Sequence, residues 1–468
     1  MNFAELRFWG WLLLGLSVIG ALRVGLGFRI SPVPPQFDRL ALASLGMFLL
    51  ACVSWLTFVI WLAVSLISYF GLRWILQHDG GSKRKYLFVL IPLQLAPLFY
   101  FKYADFVANG VLGLDVNWAR GILIPVGISF YTFQKIAFVI DTLAFKERLP
   151  GFLDYMNFVG FFPQIVAGPI ERKRDLLPQM EQFRFQWNRR DIDDGAGWIV
   201  IGLFFKMGLA DNLAPWIPPF VESADNPYMI WIANLLFGLR IYYDFAGYSL
   251  IAVGLGRCLG IGLTLNFLSP YCSTNVVEFW RRWHVTLSQW FRDYLYVPFG
   301  GGRVRWWAFN VALVFLVSGV WHGAGWNFVL WGALHGAFLI ALRWSGGWRV
   351  PVPLAWMGTM FAVFLAWLAF YELRTEMLWA KFQTLFNPGS YKIEALLSAV
   401  RTLPRGELVV PLGLLSMASV TLALEWLSVR RLNEPYAWLR RPLPLACMVV
   451  LTVFLASGKN NAFIYFAF

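Results

Sequence analysis

Charged side chains are scarce in this chain: 14% of its 468 residues, against 59% hydrophobic and 18% aromatic. A water-soluble chain of this length, enough for about three domains, could not cover its surface with so few charges. Cysteine is also sparse. Cys52, Cys258, Cys272 and Cys447 are scattered with no CxxC pair, which leaves no disulfide framework and no metal site, so they read as small apolar packing residues. Several enzyme signatures are missing: there is no GxSxG elbow, no GxxxxGK[ST] phosphate loop and no HExxH zinc helix,. Gly254 and Gly256 in GLGRCLG form only a partial glycine pattern without a βαβ setting. No fixed-period repeat and no low-complexity linker divides the chain, so residues 1 to 468 read as a single integral-membrane domain.

What is abundant is apolar sequence. Uncharged or nearly uncharged runs cover 8 to 22, 40 to 72, 86 to 101, 121 to 145, 151 to 170, 198 to 220, 227 to 256, 306 to 342, 351 to 371, 408 to 424 and 442 to 457. A bilayer core about 30 Å thick takes roughly 20 residues per helix, and the longest runs can each hold two passes, so about ten to twelve membrane helices are expected. The fold class is therefore an all-α polytopic membrane protein. Residues 1 to 22 carry no small-residue cleavage site before Arg23, and the first helix is expected to be retained. The net charge of +13 concentrates between apolar runs, in Lys83 to Lys85, Arg172 to Arg174, Arg281 to Arg305, Arg430 with Arg431, and Arg440 with Arg441. Short basic loops stay in the cytoplasm and meet anionic lipid. Because these residues sit beside membrane helices and not on one soluble face, nucleic acid is not expected as a partner.

Two stretches carry the polar chemistry. Read as one helix, 278 to 298 (EFWRRWHVTLSQWFRDYLYVP) places Trp280, Trp283, Leu287, Trp290, Phe291 and Tyr294 within an arc of about 100°. Arg281, Arg282, Ser288, Gln289, Arg292 and Asp293 take the other side. Such a helix lies along a membrane interface and presents His284 beside Arg281, Ser288 and Arg292. The uncharged run from Trp306 to Leu342 holds His322 near its centre, among Gly319, Gly323, Ala324 and Gly325. These residues weaken a continuous helix, and irregular backbone at membrane depth survives only where protein or a cavity surrounds it. Two helices meeting at a break are expected, with His322 neutral, facing an internal chamber and able to accept a proton. The alternative is a core histidine bonded to a backbone carbonyl.

His335 follows by 13 residues, about 220° round an unbroken helix, and is expected to face away from His322 in a packing role. His78, in QHDGGSKRK, reads as a loop residue. Asp244 and Tyr248, in IYYDFAGYS, are polar at membrane depth, and Arg240 at i−4 is the expected partner of Asp244. With no strong nucleophile evident, the chemistry best served by histidine is direct transfer, in which a base removes the proton of an acceptor hydroxyl as it attacks an activated acyl group. A transporter using His322 as a proton relay is the rival from another class.

The segments PVGISFYTFQ (125 to 134), FFPQIVAGPIERKRDL (161 to 176), IYYDFAGYS (241 to 249), EFWRRWHVTLSQWFRDYLYVPFGG (278 to 301), SGVWHGAGWNFVLWGALHG (318 to 336) and FIYFAF (463 to 468) resemble the membrane-bound O-acyltransferase family, most of all its bacterial alginate O-acetyltransferase branch. The similarity runs from about residue 125 to 468. The first hundred residues and YELR (371 to 374) depart from the branch pattern. The resemblance implies a ring of membrane helices around a central tunnel, with interfacial or re-entrant helices. It implies a catalytic histidine at His322 and a second important position at His284. Trp283, Trp321, Trp326, Asn327, Ser288, Tyr248 and Asp244 are the expected tunnel lining, and Arg281, Arg282 and Arg292 are candidates for donor phosphates. It further implies acetyl-CoA as co-substrate with no bound cofactor or metal. The setting is a bacterial inner membrane, and the recipient is a periplasmic acetyltransferase partner of the SGNH-esterase-like type or a polysaccharide. D-alanyl transfer from a carrier protein is the rival within the family.

Overall fold

The computed structural model describes residues 3–26, 34–78, 81, 83–346, 350–402, 409–456 and 463–464, and every regular element among them is helical. The contacts gather into two compact units: Met1–Ile199 with Tyr248–Leu265, and Val200–Gly247 with Asn266–Phe468.

The first unit contains α1 (Leu6–Gly25), α2 (Pro35–Val53), α3 (Trp55–His78), α4 (Leu87–Leu98), α5 (Ile128–Leu143), α6 (Phe152–Gly160), α7 (Phe162–Ile165), α8 (Lys173–Glu181) and most of α9 (Arg189–Leu203). Pro35 opens α2, where its fixed φ suits a first helical turn and its missing N–H goes unneeded,. Ser54 is extended and ends it, so the 40 to 72 run divides into two helices. His78 is the exposed last residue of α3, where a loop position was expected; its Nδ1 lies 2.9 Å from the Trp74 carbonyl. Pro92 and Pro97 lie inside α4, and the chain continues beyond it as π-helix over Phe99–Tyr103 and Phe106–Val111, the usual relief for lost i→i−4 bonds. Lys135 is fully buried in α5. Its Nζ donates to the Trp61 carbonyl at 2.8 Å and lies over the Trp61 and Tyr131 rings.

The second unit contains α10 (Asp211–Leu213), α11 (Pro218–Val221), the first part of α12 (Pro227–Cys258), α13 (Val276–Arg282), α14 (Val285–Phe291), α15 (Trp307–His322), α16 (Trp326–Trp344), α17 (Val352–Tyr371), α18 (Thr375–Phe386), α19 (Ile393–Thr402), α20 (Val409–Leu427) and α21 (Pro442–Leu455). The helix expected over 278 to 298 is instead broken at His284, then continues as π-helix over Arg292–Tyr296. The 306 to 342 run does divide after His322, as its glycines suggested.

Seven helices among the described residues are long and apolar enough to cross a membrane, with Trp307–His322 and Pro442–Leu455 as shorter apolar helices. Run length led to an expectation of ten to twelve; α15 and α21, at 16 and 14 residues, are apolar but shorter than a full span. The 151 to 170 run breaks at Phe161 into helices of 9 and 4 residues, too short to span a bilayer core.

The α15–α16 hairpin is built on glycine. A Cβ at Gly319 would lie 2.2 Å from the Phe328 carbonyl oxygen, and one at Gly332 would lie 2.2 Å from that of Phe315. Small residues let two backbones touch where lipid offers no hydrophobic drive for helix pairing. Gly323, in the connection, would drive a Cβ to 2.0 Å from the Phe328 ring. Gly319→Val and Gly332→Val should each cost about 1–3 kcal/mol or more through overpacking, read as a lower unfolding temperature in detergent. Gly20→Val, where a Cβ meets nothing within 4 Å, should change stability by less than about 0.5 kcal/mol.

Candidate active site

The site is assembled within the second unit from α13 to α17. His322 is the last residue of α15, and its Nδ1 lies 2.6 Å from the Ser318 carbonyl oxygen one turn back. A carbonyl oxygen only accepts, so Nδ1 carries the hydrogen and the lone pair is left on Nε2. The ring is walled by Trp321, Trp331 and Phe370 at centroid distances of 4.9, 4.7 and 5.6 Å. The carbonyl contact expected of a core histidine is present, and it fixes which ring nitrogen carries the hydrogen,.

His284 reaches the same place by another route. Asn275 caps α13 by accepting from the Glu278 N–H at 2.8 Å, while the Glu278 carboxylate accepts from the N–H and hydroxyl of Thr274, the residue before the cap,. The helix ends at Arg282 because the segment around Asn266 clamps the chain on both sides of His284. The Leu268 N–H donates to the Arg282 carbonyl and the Val285 N–H to the Asn266 carbonyl, both at 2.9 Å. The Asn266 side chain accepts from the Thr286 hydroxyl at 2.6 Å. Between these ties His284 takes left-handed backbone, φ 43° and ψ 55°. For a non-glycine residue this costs about 1–2 kcal/mol and persists only where the surroundings over-determine it. The imidazole is fully buried, between Phe245 at 4.8 Å and Trp321 at 5.9 Å. The two histidines thus sit against one indole, that of Trp321.

His335 is not turned away as the helical angle implied. The helix is broken between it and His322, and its ring packs 4.8 Å from Trp331, the indole that also borders His322. Its Nδ1 accepts from Trp280 Nε1 at 3.3 Å, which is the expected packing role. Trp283 is buried among Phe267, Phe279 and Trp367. Asn327 is buried and donates to the Ala369 carbonyl at 3.1 Å, tying α16 to α17. Trp326, by contrast, the first residue of α16, is 52% exposed. Tyr248 belongs to the first unit, where it stacks on Phe3.

The partner of Asp244 is Lys206, and not Arg240. Lys206 Nζ lies 2.7 Å from Asp244 and 2.8 Å from Asp211, all three buried, and Asp244 also accepts from the Ile464 N–H at 2.6 Å. Gly247 permits this approach, since a Cβ there would lie 2.9 Å from the Lys206 N–H nitrogen. Lys206 came from a different apolar run, so no sequence spacing pointed to it.

A cleft of about 590 Å³ is lined by Arg281, Ser288, Gln289, Arg292, Arg343 and Ser318, among apolar residues. It therefore reaches the turn whose carbonyl holds His322. Arg282 is not among them: it pairs with Glu278 at 2.9 Å and donates to the Leu268 carbonyl at 3.0 Å. It follows Arg281 directly in α13, so about 100° of helical rotation turns it to another side of that helix. Arg343 takes its place, with its guanidinium 4.1 Å from the centre of the Trp307 ring and a bond to the Gly302 carbonyl. It ends the 306 to 342 run, so its basic character was visible but its location was not.

The fold and the site define a helical membrane protein with two buried imidazoles near a basic cleft. The family model for membrane-bound O-acyltransferases matches residues 41–379, and the chain belongs to that family. The match begins well before the expected start near residue 125 and ends at 379. The probable alginate O-acetylase AlgI of Azotobacter vinelandii is 34% identical over 69% of this chain, which spans 66% of that protein's length. The peptidoglycan O-acetyltransferase of Helicobacter pylori is 36% identical over 72% of this chain and 71% of its own. The teichoic acid D-alanyltransferase of Bacillus subtilis is 26% identical over 72% and 87%.

Lys206→Met leaves two buried carboxylates without their cation and should cost about 3–5 kcal/mol in stability. Arg240→Met should cost less than about 1 kcal/mol. Thermal unfolding of the two purified variants distinguishes them, and the reverse order would restore Arg240 as the partner.

Proposed function

We propose that this multi-pass membrane acyltransferase takes an acetyl group from acetyl-CoA on the cytoplasmic side of a bacterial inner membrane. It passes the group through the protein to a hydroxyl on the other side, on a polysaccharide or on a periplasmic acetyltransferase partner of the SGNH-esterase-like type. The observation that carries this reading is the Nδ1 contact of His322 with the Ser318 carbonyl, which leaves Nε2 as the basic atom. The O-acetyl relatives from Azotobacter and Helicobacter support the choice of acetyl.

In this reading Arg281, Arg292 and Arg343 meet the donor's phosphates by charge-assisted hydrogen bonds,. Short basic loops favour the cytoplasmic side for that cleft. His322 Nε2 takes the acceptor's hydroxyl proton as the oxygen bonds to the thioester carbonyl carbon. The tetrahedral intermediate then expels the CoA sulfur, which leaves with a proton, and the acetyl group remains as an oxygen ester. His284 orients the reactants or stabilises the developing oxyanion. Trp321, Trp331 and Phe370 keep out water, which otherwise hydrolyses the thioester. A base of this kind contributes about 10² to 10⁴ in rate, or roughly 3 to 5 kcal/mol.

A second reading, D-alanyl transfer from a carrier protein, is favoured by the Bacillus relative. Purified protein in liposomes with labelled acetyl-CoA separates the two. Release of free CoA with transfer of label supports the first. Indifference to acetyl-CoA with turnover of a D-alanyl phosphopantetheinyl carrier supports the second.

His322→Gln should lower transfer by about 10² to 10⁴ while the protein stays folded and membrane-inserted; near-normal acetylation by this variant removes the base assignment. Arg281→Gln and Arg343→Gln should each raise the KM for acetyl-CoA about three- to tenfold with kcat little changed. Arg282→Gln should instead show as lost stability, because its guanidinium holds the turn before His284.

A further inference from the structure

We propose that a second cleft of the same unit binds one molecule of a phospholipid with a net negative headgroup, such as phosphatidylglycerol. This cleft, of about 680 Å³, lies among α12, α17, α20 and the turn at Tyr271 to Thr274. It shares no lining residue with the basic cleft beside His322. Its walls are apolar, including Leu239, Trp356, Met360 and Phe364, and its charged member is Arg430.

The shape and the charge both point to one occupant. At membrane depth an apolar hollow left empty forfeits dispersion contacts on every wall, and water finds too few polar partners to fill it. Hydrocarbon chains satisfy such walls. Trp426 lines the cleft, is half-exposed, and has the Arg430 guanidinium 5.8 Å from its ring centre. An exposed tryptophan beside an arginine is the side-chain pair found at headgroup level, where an apolar ring and a cation meet phosphate. The surrounding loop is strongly basic. Arg430, Arg431, Arg440 and Arg441 face a single acidic residue over 430 to 441, Glu434, which pairs with Arg440 at 3.5 Å. Arg441 stacks on Trp438 at 3.5 Å. The excess positive charge selects a headgroup that is anionic overall over a zwitterionic one, at about 1 kcal/mol per basic residue, or roughly fivefold.

Native mass spectrometry of the full chain, exchanged into mixtures of phosphatidylglycerol and phosphatidylcholine, tests this. One phosphatidylglycerol per chain should be retained in preference to phosphatidylcholine. Arg430→Gln should reduce that preference about fivefold, while Arg120→Gln, an exposed arginine of the first unit, should leave it unchanged. Ala423→Trp, which fills the cleft and leaves Arg430 in place, should abolish retention; its fold is checked by size-exclusion chromatography. Equal retention of the two lipids by the unaltered protein overturns the proposal. So does a preference that survives Arg430→Gln or that falls equally with Arg120→Gln, and so does displacement of the lipid by glycerol 3-phosphate, which has a headgroup and no chains.

Discussion

The contact of α15 with α16 is the constraint from which the site follows. Gly319 faces the Phe328 carbonyl and Gly332 faces that of Phe315, so the two backbones close to a distance that any side chain at either position would prevent. This closeness fixes where the hairpin turns, and the turn comes immediately after His322. The imidazole is consequently held at a helix end, with its Nδ1 on the carbonyl one turn back and its face against Trp331 from the returning helix. A helix end at membrane depth requires protein around it, and the aromatic side chains of α16 and α17 supply that enclosure.

His284 is positioned by a different physical device. His322 rests in an ordinary helical conformation, whereas His284 occupies left-handed backbone between a capped helix and a second short one. The Asn266 to Leu268 segment holds both flanks, and the strain is offset by those hydrogen bonds. Two separately enforced placements converge on the indole of Trp321. In the proposed mechanism such a fixed, buried pair costs little reorganisation as charge develops.

The relatives carry names for acetyl transfer and for D-alanyl transfer, and a base that removes a hydroxyl proton is indifferent to which acyl group awaits attack. In the proposed mechanism, donor selection therefore falls to the cleft of Arg281, Arg292 and Arg343, and not to the histidines. Its three guanidinium groups come from α13, from the π-helical stretch after α14, and from the end of α16. That spread lets them meet a donor with separated phosphates.

Much of this was legible in the residues themselves. Composition determined a helical membrane protein, because so few charges cannot clothe a soluble surface. The glycines around His322 marked the break in its run, since they weaken a helix wherever they fall. The terminal FIYFAF, part of the family resemblance, lies outside the described residues apart from Phe463 and Ile464. Other features depended on partners far away in the chain. The clamp that breaks 278 to 298 at His284 comes from Asn266 and Leu268, and the helical angle computed for an unbroken helix misplaced His335. Lys206 as the partner of Asp244, and Arg343 in the basic cleft, follow from packing between separate helices. Periodicity reports only what one helix does alone; which helices meet, and where a neighbour's backbone interrupts them, is decided by tertiary contact.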